Sequence, residues 1–257
     1  MSFIRAYHYS KVLPRLNKYY LGFYRDKTLC GVVTLGWGTQ PLQTIRKLFP
    51  DHALQTKDYL EIGKMCFLPS ENGNGHFGSL ALSALIKWVR QETDCLFLYT
   101  LADGIMGKCG YVYQAANFRY IGHFLTSVYR DAETGEKIHP RSAGLLLKEN
   151  AELDGKKARH WLTHDFCTMK GIEKIDGRMF RYIYPLNEKA KNIMRQYPQY
   201  QSLSYPKDRD LFFRVRIGDR QYQTIAPPRF DRDVCRYNPQ KFDRMEVTDH
   251  ERPLEAP

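Results

Sequence analysis

Apolar and polar positions along the first 130 residues form runs that predict strands and helices in turn. Residues 19–24 and 29–37 are strand-like, and the polar segment between them predicts the turn of a β-hairpin. Helical spacing follows over 41–49, before Pro50, and is strong over 77–90. Further strands are expected over 58–68, 95–101 and 118–129, and a short helix over 104–116. This order predicts an α/β (α+β) fold, with a mixed central sheet flanked by helices.

The second half of the chain has a weaker pattern. Residues 142–176 are polar and are expected to be mostly helical, 178–184 form a strand, and 187–196 form a helix. Beyond residue 197 the chain is rich in Pro, Arg, Asp and Gln, which predicts an extended appendage with little core of its own. The pattern predicts a catalytic domain over 1–190 and a C-terminal extension over 191–257.

Charge adds a candidate partner. The chain of 257 residues has a formal net charge of +11. A basic excess of this size favours a polyanion, most often nucleic acid, although an ordinary basic enzyme is the alternative. Lys11, Arg46 and Lys47 are expected to contact DNA phosphates without reading sequence.

Cysteine use and hydropathy bear on the compartment. The chain has six cysteines but no CxxC pair, so a structural zinc site is not expected. This usage favours a reducing, cytoplasmic setting. No apolar run approaches 18 residues and the N-terminus does not resemble a signal peptide, so no membrane partner is expected.

A glycine-containing loop over 70–75 precedes the strongest predicted helix. Gly73 and Gly75 would leave backbone N–H groups free to bind a phosphate. The spacing Ser70-x-x-Gly73-x-Gly75 resembles the pyrophosphate loop of GNAT acyltransferases, with Ser70 in place of Gln or Arg. Ser79 and Ser83 share the polar face of the helix and are candidates to bind the same cofactor. The alternatives are a plain glycine-rich connection and serines that cap the helix or face solvent.

Three other positions carry acid–base chemistry. Asp103 follows a predicted buried strand, where a carboxylate can act as a base or orient an amine, or can simply cap the next helix. His8 lies beside Tyr9, and either can exchange protons. Lys64 and Glu61 are three residues apart on a predicted strand, so they are expected on opposite faces.

An aromatic and amide-rich segment follows Asp103. Tyr111 and Tyr113 can stack on a base, and Asn117 can pair with the edge of adenine. Ordinary packing of a tyrosine-rich helix is the alternative.

Several of these segments together resemble the phage Mom family. The matching stretches are HYSK (8–11), YYLGFY (19–24), GVVTLGWGTQPLQTIRKLFP (31–50), DYLEIGKMCFL (58–68), SLALSALIKW (79–88), LADGIMGKCGYVYQAANFRYIG (101–122), GEKIHPR (135–141) and FRYIYPL (180–186). The resemblance implies a GNAT-like fold, conversion of adenine in DNA to its N6-carbamoylmethyl form, and protection of phage DNA from host restriction. It also implies roles for His8, Tyr9, Lys64, Ser79 and Asp103.

The same resemblance implies an acyl-CoA-type donor, and iron has been proposed for the family. The family tends to have Arg where this chain has Lys64, and Lys cannot make the two-pronged contact of a guanidinium.

We therefore expect a transferase-type DNA adenine modification enzyme. Its partners would be double-stranded DNA and a small-molecule donor, in the cytoplasm of the bacterial host, with a homodimer as one allowed assembly. Two alternatives remain: a general GNAT acetyltransferase acting on a protein or small-molecule amine, and a DNA-binding phage protein without enzymatic activity.

Overall fold

The computed structural model describes residues 2–8, 16–72, 76–138, 143–218, 220–231, 234 and 237. The helices of these residues are α1 (Ser2–Tyr7), α2 (Pro41–Leu48), α3 (Pro69–Asn72), α4 (Phe77–Glu92), α5 (Tyr111–Ala115), α6 (Gly144–Leu153), α7 (His164–Met169) and α8 (Glu188–Arg195). Their strands are β1 (Leu16–Arg25), β2 (Thr28–Trp37), β3 (Tyr59–Phe67), β4 (Phe97–Asp103), β5 (Arg119–Asp131), β6 (Lys137–Ile138), β7 (Ile172–Pro185), β8 (Phe213–Gly218) and β9 (Gln221–Thr224). No helix of the described chain has the length and apolar character that crossing a membrane requires.

The chain forms two compact units, one of residues 1–126 and 177–213 and the other of residues 127–176 and 214–257. In the first unit the strand order is β1-β2-β3-β4-β7-β5. Strands β3 and β4 are parallel, whereas β1–β2, β2–β3 and β4–β7 are antiparallel. The predicted mixed sheet flanked by helices is therefore confirmed.

The predicted hairpin of β1 and β2 turns at Asp26 and Lys27. Both residues have positive φ, 46° and 68°, as the two central residues of a type I′ turn require. That turn matches the twist of the flanking strands and explains why a short polar segment joins them directly.

Helix α4 covers one face of the sheet in the first unit. Its apolar positions place Leu82, Leu85 and Val89 in one buried cluster with Leu98 of β4 and Phe180 of β7. Burial of each such side chain stabilises the fold by roughly 1.5–3 kcal/mol.

Helices α2 and α8 supply a second buried cluster of the first unit. Phe49, which follows α2, stacks on Phe97 of β4 with ring centroids 4.7 Å apart, and Ile193 of α8 joins this cluster. The sheet of this unit is thus buried by separate apolar clusters, and its central strands are fixed in place.

The second unit has a core of its own. Tyr129 of β5 packs there with Leu146 of α6 and Phe166 of α7, and its hydroxyl accepts a hydrogen bond of 3.0 Å from the backbone N–H of Leu162. Asp176 is buried and accepts bonds from Ser127 (2.7 Å) and Arg214 (3.0 Å).

The mostly helical content expected for 142–176 is wrong in part. Helices α6 and α7 occupy only some of that span, and β7 already begins at Ile172. The sequence prediction began this strand at residue 178 because Asp176 and Gly177 interrupt its apolar pattern. The aspartate is accommodated in the strand by its two hydrogen bonds.

The appendage expected beyond residue 197 also differs. Tyr197 and Tyr200 pack on Phe49, the Tyr205 hydroxyl bonds to the Phe118 carbonyl (2.8 Å), and β8 pairs with β9. These tyrosines anchor residues 197–205 to the first unit, because each ring packs while its hydroxyl finds a partner. The division of the chain at residue 190 stays a prediction.

Candidate active site between two parted strands

Strands β3 and β4 run side by side and then part. Their parallel register extends from Tyr59 opposite Phe97 to Ile62 opposite Thr100, although β3 continues to Phe67 and β4 to Asp103. Each strand stays paired on its outer side, β3 with β2 and β4 with β7. The gap is therefore held open by its neighbours, and it presents two strand edges.

A cavity of about 310 Å³ opens at this gap. We call it the β3–β4 cavity. It is lined by residues 62–65 of β3, residues 101–103 of β4, residues 107–110, residues 111–113 of α5, and His8 at the end of α1. Of the predicted site residues, the structure brings His8, Lys64, Asp103, Tyr111 and Tyr113 to this one cavity.

The predicted opposition of Lys64 and Glu61 is wrong. Lys64 pairs with Thr34 and Glu61 pairs with Gly36, two positions apart on β2 and so on one face of the sheet. A bulge at Gly63 adds one residue to β3 and shifts the alternation. Lys64 and Glu61 therefore share a face, and Lys64 lines the cavity.

Asp103 combines the two roles that the sequence left open. Its Oδ1 accepts a hydrogen bond of 3.1 Å from the backbone N–H of Ile105 and so caps the short 3-10 turn Gly104–Met106. The same carboxylate lines the β3–β4 cavity. The cap fixes the position of the carboxylate, which a general base requires.

His8 ends helix α1 with its backbone N–H bonded to the Ile4 carbonyl (3.0 Å). Ile4 is fully buried in a cluster with Val32 and Cys66, which fixes α1 against the sheet. His8 is 8% exposed and lines the cavity, so α1 places a buried imidazole beside the open strand edges.

The loop that closes the cavity has glycine at both ends. Gly107 and Gly110 have positive φ, 71° and 87°, and the side chains of Lys108 and Cys109 lie between them. Lys108 is exposed and lines the cavity. Sequence reasoning missed Lys108, although the G-K-C-G spacing marks a loop in which a basic residue is presented by two turns.

The cations of the site act on a common region. Burial raises the pKa of the Cys66 thiol to about 11, while the ammonium groups of Lys108 and Lys64 act in the opposite direction. Both lysines are thus near Cys66, and they give the β3–β4 cavity a positive wall facing the carboxylate of Asp103.

Cys109 lines the cavity as a thiol. Burial, together with a hydrogen bond of 3.3 Å to the Asp208 carboxylate, raises its pKa to about 12. A thiolate is the nucleophilic form, so Cys109 is a packing residue at neutral pH.

The two tyrosines predicted to stack on a base differ in exposure. Tyr113 is buried and packs on Phe118 and Tyr182, so ordinary packing accounts for its ring. Tyr111 is 48% exposed at the cavity, and the Lys207 ammonium lies 5.3 Å from its ring centroid. Tyr111 is therefore the ring that a base can reach.

The other described candidates lie apart from this cavity. Ser79 and Ser83 donate to the carbonyls of His76 and Ser79, both 2.9 Å, as expected for serines within a helix. Arg46 and Lys47 are exposed on α2, as predicted. Asn117 lines a different cavity. Four further candidates, Tyr9, Lys11, Gly73 and Gly75, lie outside the described residues.

Metal ligands were tested by side-chain grouping. Within the described part of the chain, no three His, Cys, Asp or Glu side chains lie close enough together to hold a metal ion. These residues do not fit an iron centre, and no step below is assigned to one.

The fold and site define a mixed α/β protein with a polar cavity between two parted parallel strands. Residues 1–207 match the model of the Mom protein family, and the chain belongs to that family. Among its relatives is the methylcarbamoylase Mom of Escherichia phage Mu, which is 25% identical over 190 residues that cover 73% of this chain and 72% of that protein. The family resemblance of the sequence segments is confirmed, whereas the likeness to GNAT acyltransferases stays a prediction.

Proposed function

We propose that this protein is a phage DNA-modifying enzyme that converts adenine to its N6-carbamoylmethyl form and so protects the DNA from host restriction. The observation that supports the proposal is the meeting of Asp103, Lys64, His8 and Tyr111 at the β3–β4 cavity. Membership of the Mom family and the similarity to a methylcarbamoylase support the same chemistry.

The base enters the cavity from a duplex. Adenine in B-DNA has its amine in the stack, so the nucleotide flips out before reaction. The exposed ring of Tyr111 is the stacking surface, and the nearby ammonium of Lys207 favours the negative face of that ring. Arg46 and Lys47 on α2 remain candidate contacts to the phosphates.

The donor occupies the gap. Its extended arm, of the acyl-CoA type, lies between β3 and β4, where open strand edges can bond to amide groups. Lys64 and Lys108 hold its carbonyl or anionic groups. Its phosphate end lies toward the start of α4, near Ser79 and the loop that contains Gly73 and Gly75.

The transfer forms a bond between N6 of adenine and the methylene carbon of the donor, while the bond from that carbon to the leaving group of the donor breaks. The amine of adenine is conjugated with its ring and is a poor nucleophile, so its proton must be taken as the bond forms. The Asp103 carboxylate accepts that proton, and His8 protonates the leaving group. The donor supplies the electrophilic carbon.

The test is mass spectrometry of nucleosides from plasmid DNA after expression of the protein. Wild type should yield N6-carbamoylmethyl-deoxyadenosine, and Asp103→Asn should lower the yield by roughly 10²–10⁴-fold, the usual size of a general-base effect. Asparagine keeps an oxygen that can accept the bond from Ile105, so the cap is preserved.

The matched control is Asp94→Asn, the same change at an exposed aspartate outside the cavity lining. Unmodified adenine with soluble wild-type protein would overturn the proposal. Acetyl-CoA turnover without DNA would instead favour a general acetyltransferase. Full modification by Asp103→Asn would remove Asp103 from the mechanism.

A further inference from the structure

A second cavity, of about 330 Å³, lies in the first unit between the start of β5, the end of β7 and α8. We call it the basic cavity. Arg119, Lys191, Arg195, Asn117 and Tyr184 are among the residues that line it, and no acidic residue is. It therefore concentrates positive charge with no carboxylate in its lining.

The basic cavity is far from the β3–β4 cavity. Pro185, in its lining, pairs with Phe97 at the start of β4, whereas Asp103 pairs with Met179 at the other end of that strand. Six residue steps along an extended strand span about 20 Å. The two cavities are therefore separate sites at opposite ends of β4.

The arginines of the basic cavity keep their charge available. Lys191 bonds to Glu188 on the same helix. Across the described residues, no carboxylate lies at ion-pair distance from Arg119 or Arg195, and both are exposed. Nearby, the Arg90 guanidinium lies 5.6 Å from the centre of the Tyr184 ring.

Other groups of the lining fit an anion as well. Asn117 has a left-handed backbone (φ 60°), so its short amide side chain follows a tight turn directly before β5. Its amide can donate to an oxygen beside the guanidinium of Arg119. Guanidinium groups bind phosphate oxygens in a fork geometry, and amides add donors of lower charge.

We propose that the basic cavity binds a phosphate of the DNA backbone at a distance from the target base. The identity of the polyanion rests on the proposed function. Such a contact positions the duplex without reading its sequence. Because base pairs are spaced 3.4 Å apart along the duplex, 20 Å corresponds to about six base pairs. DNA bound at both cavities must therefore extend at least about six base pairs to one side of the target adenine.

The test measures binding of fluorescent duplexes whose target adenine is flanked by about three or about ten base pairs on either side, across a series of KCl concentrations. Wild type should bind the long duplex about tenfold more tightly than the short one, with a steeper dependence on salt. Arg119→Gln combined with Arg195→Gln should remove that advantage and lower the salt slope on the long duplex by about one to two, since each phosphate contributes about 0.9.

The matched control combines Lys87→Gln with Lys189→Gln, which removes the same charge from exposed positions of α4 and α8 outside the cavity. This variant should keep the length advantage. Equal urea midpoints for the two double variants exclude a folding defect. An unchanged length advantage in the arginine variant, or an equal loss in the lysine control, would overturn the proposal, as would a wild type that binds neither duplex.

Two further arms separate the alternatives. Thermal stabilisation of wild type by millimolar inorganic phosphate, lost in the arginine variant and accompanied by no effect of duplex length, would assign the cavity to a free phosphate and overturn the DNA contact. Nucleoside analysis is read separately. Length-dependent binding without modified adenine would contradict the proposed function alone, and modification with length-independent binding would contradict this inference alone.

Discussion

The hydroxyl of Tyr182 donates a hydrogen bond to the backbone carbonyl of Cys109. Tyr182 is fully buried on β7, and its oxygen also accepts from the Gln114 amide at 3.0 Å. The loop that presents Lys108 to the β3–β4 cavity is thus tied to the sheet through a single side chain. The position of that loop depends on the core as much as on its two glycines.

Replacing Tyr182 with Phe should lower the free energy of unfolding by about 1–3 kcal/mol, because a buried acceptor loses its main donor. Modification activity should fall in addition, since Lys108 is no longer held in place. Urea unfolding and nucleoside analysis measure the two effects.

The control for that change is Tyr184→Phe, two residues along the same strand. The Tyr184 hydroxyl meets Arg90 only at 3.5 Å in an exposed contact, so its loss should change the free energy of unfolding by less than about 0.5 kcal/mol. Equal effects of the two substitutions would contradict the anchoring role of Tyr182.

Tyr111→Ala should weaken DNA binding without changing the maximal rate. Stacking of a base on an aromatic ring is worth about 1–3 kcal/mol, so the apparent affinity for the modified DNA should fall by roughly 5- to 150-fold. Tyr111→Phe keeps the ring and should stay within about twofold of wild type. Steady-state kinetics on duplex DNA would separate KM from kcat, and a defect of equal size in both variants would rule out stacking.

Gly104→Ala should destabilise the protein by about 1–3 kcal/mol through overpacking. A Cβ at this position would lie 2.3 Å from the Arg178 carbonyl oxygen, which belongs to the β7 backbone and cannot move cheaply. Gly144→Ala, at the start of α6, meets nothing within 4 Å and should be neutral or stabilising by up to about 1 kcal/mol. Urea midpoints compare the two, and the prediction fails if they shift equally.

Stability should decline as the pH rises above about 9, the ordinary pKa of a thiol. Burial raises the pKa of Cys109 to about 12 and those of Cys66 and Cys167 to about 11. Between those values the unfolded chain has lost protons that the native chain retains, so each thiol removes stability by up to about 1.4 kcal/mol per pH unit. The contribution is fully present below pH 9 and is lost on the way to the native pKa.

Cys109→Ser separates this effect from general alkaline unfolding. Serine does not titrate in this range and can still donate to Asp208, so the slope of unfolding free energy against pH should become shallower by about one proton. Urea titrations between pH 8 and pH 10.5 measure that slope. An identical slope in the variant would mean that Cys109 ionises normally.

Periodicity predicted much of the fold because the elements of the first 130 residues are locally consistent. The apolar stripe of α4 and the runs that became β2, β3 and β4 follow the periods of a helix and of buried strands. The helix expected over 104–116 divides into a 3-10 turn and the short α5, because Gly107 and Gly110 take left-handed conformations between them.

The candidate site was predictable only in part. Asp103 could be placed at a strand end from the sequence, but a one-residue bulge at Gly63 decides which face Lys64 occupies, and no local pattern reveals a bulge. Lys108 and the parting of β3 from β4 depend on tertiary contacts of β2 and β7. The anchoring of Tyr197, Tyr200 and Tyr205 depends on partners far along the chain.

The gap between β3 and β4 bears on how such a site survives divergence. Side chains change by substitution, but the amide and carbonyl groups of a strand edge are the same whatever residues the strand has. A donor held by those groups would be recognised by a part of the protein that point mutation leaves intact. Two chains that share 25% of their residues can therefore keep one mode of donor recognition while the rest of the cavity lining drifts.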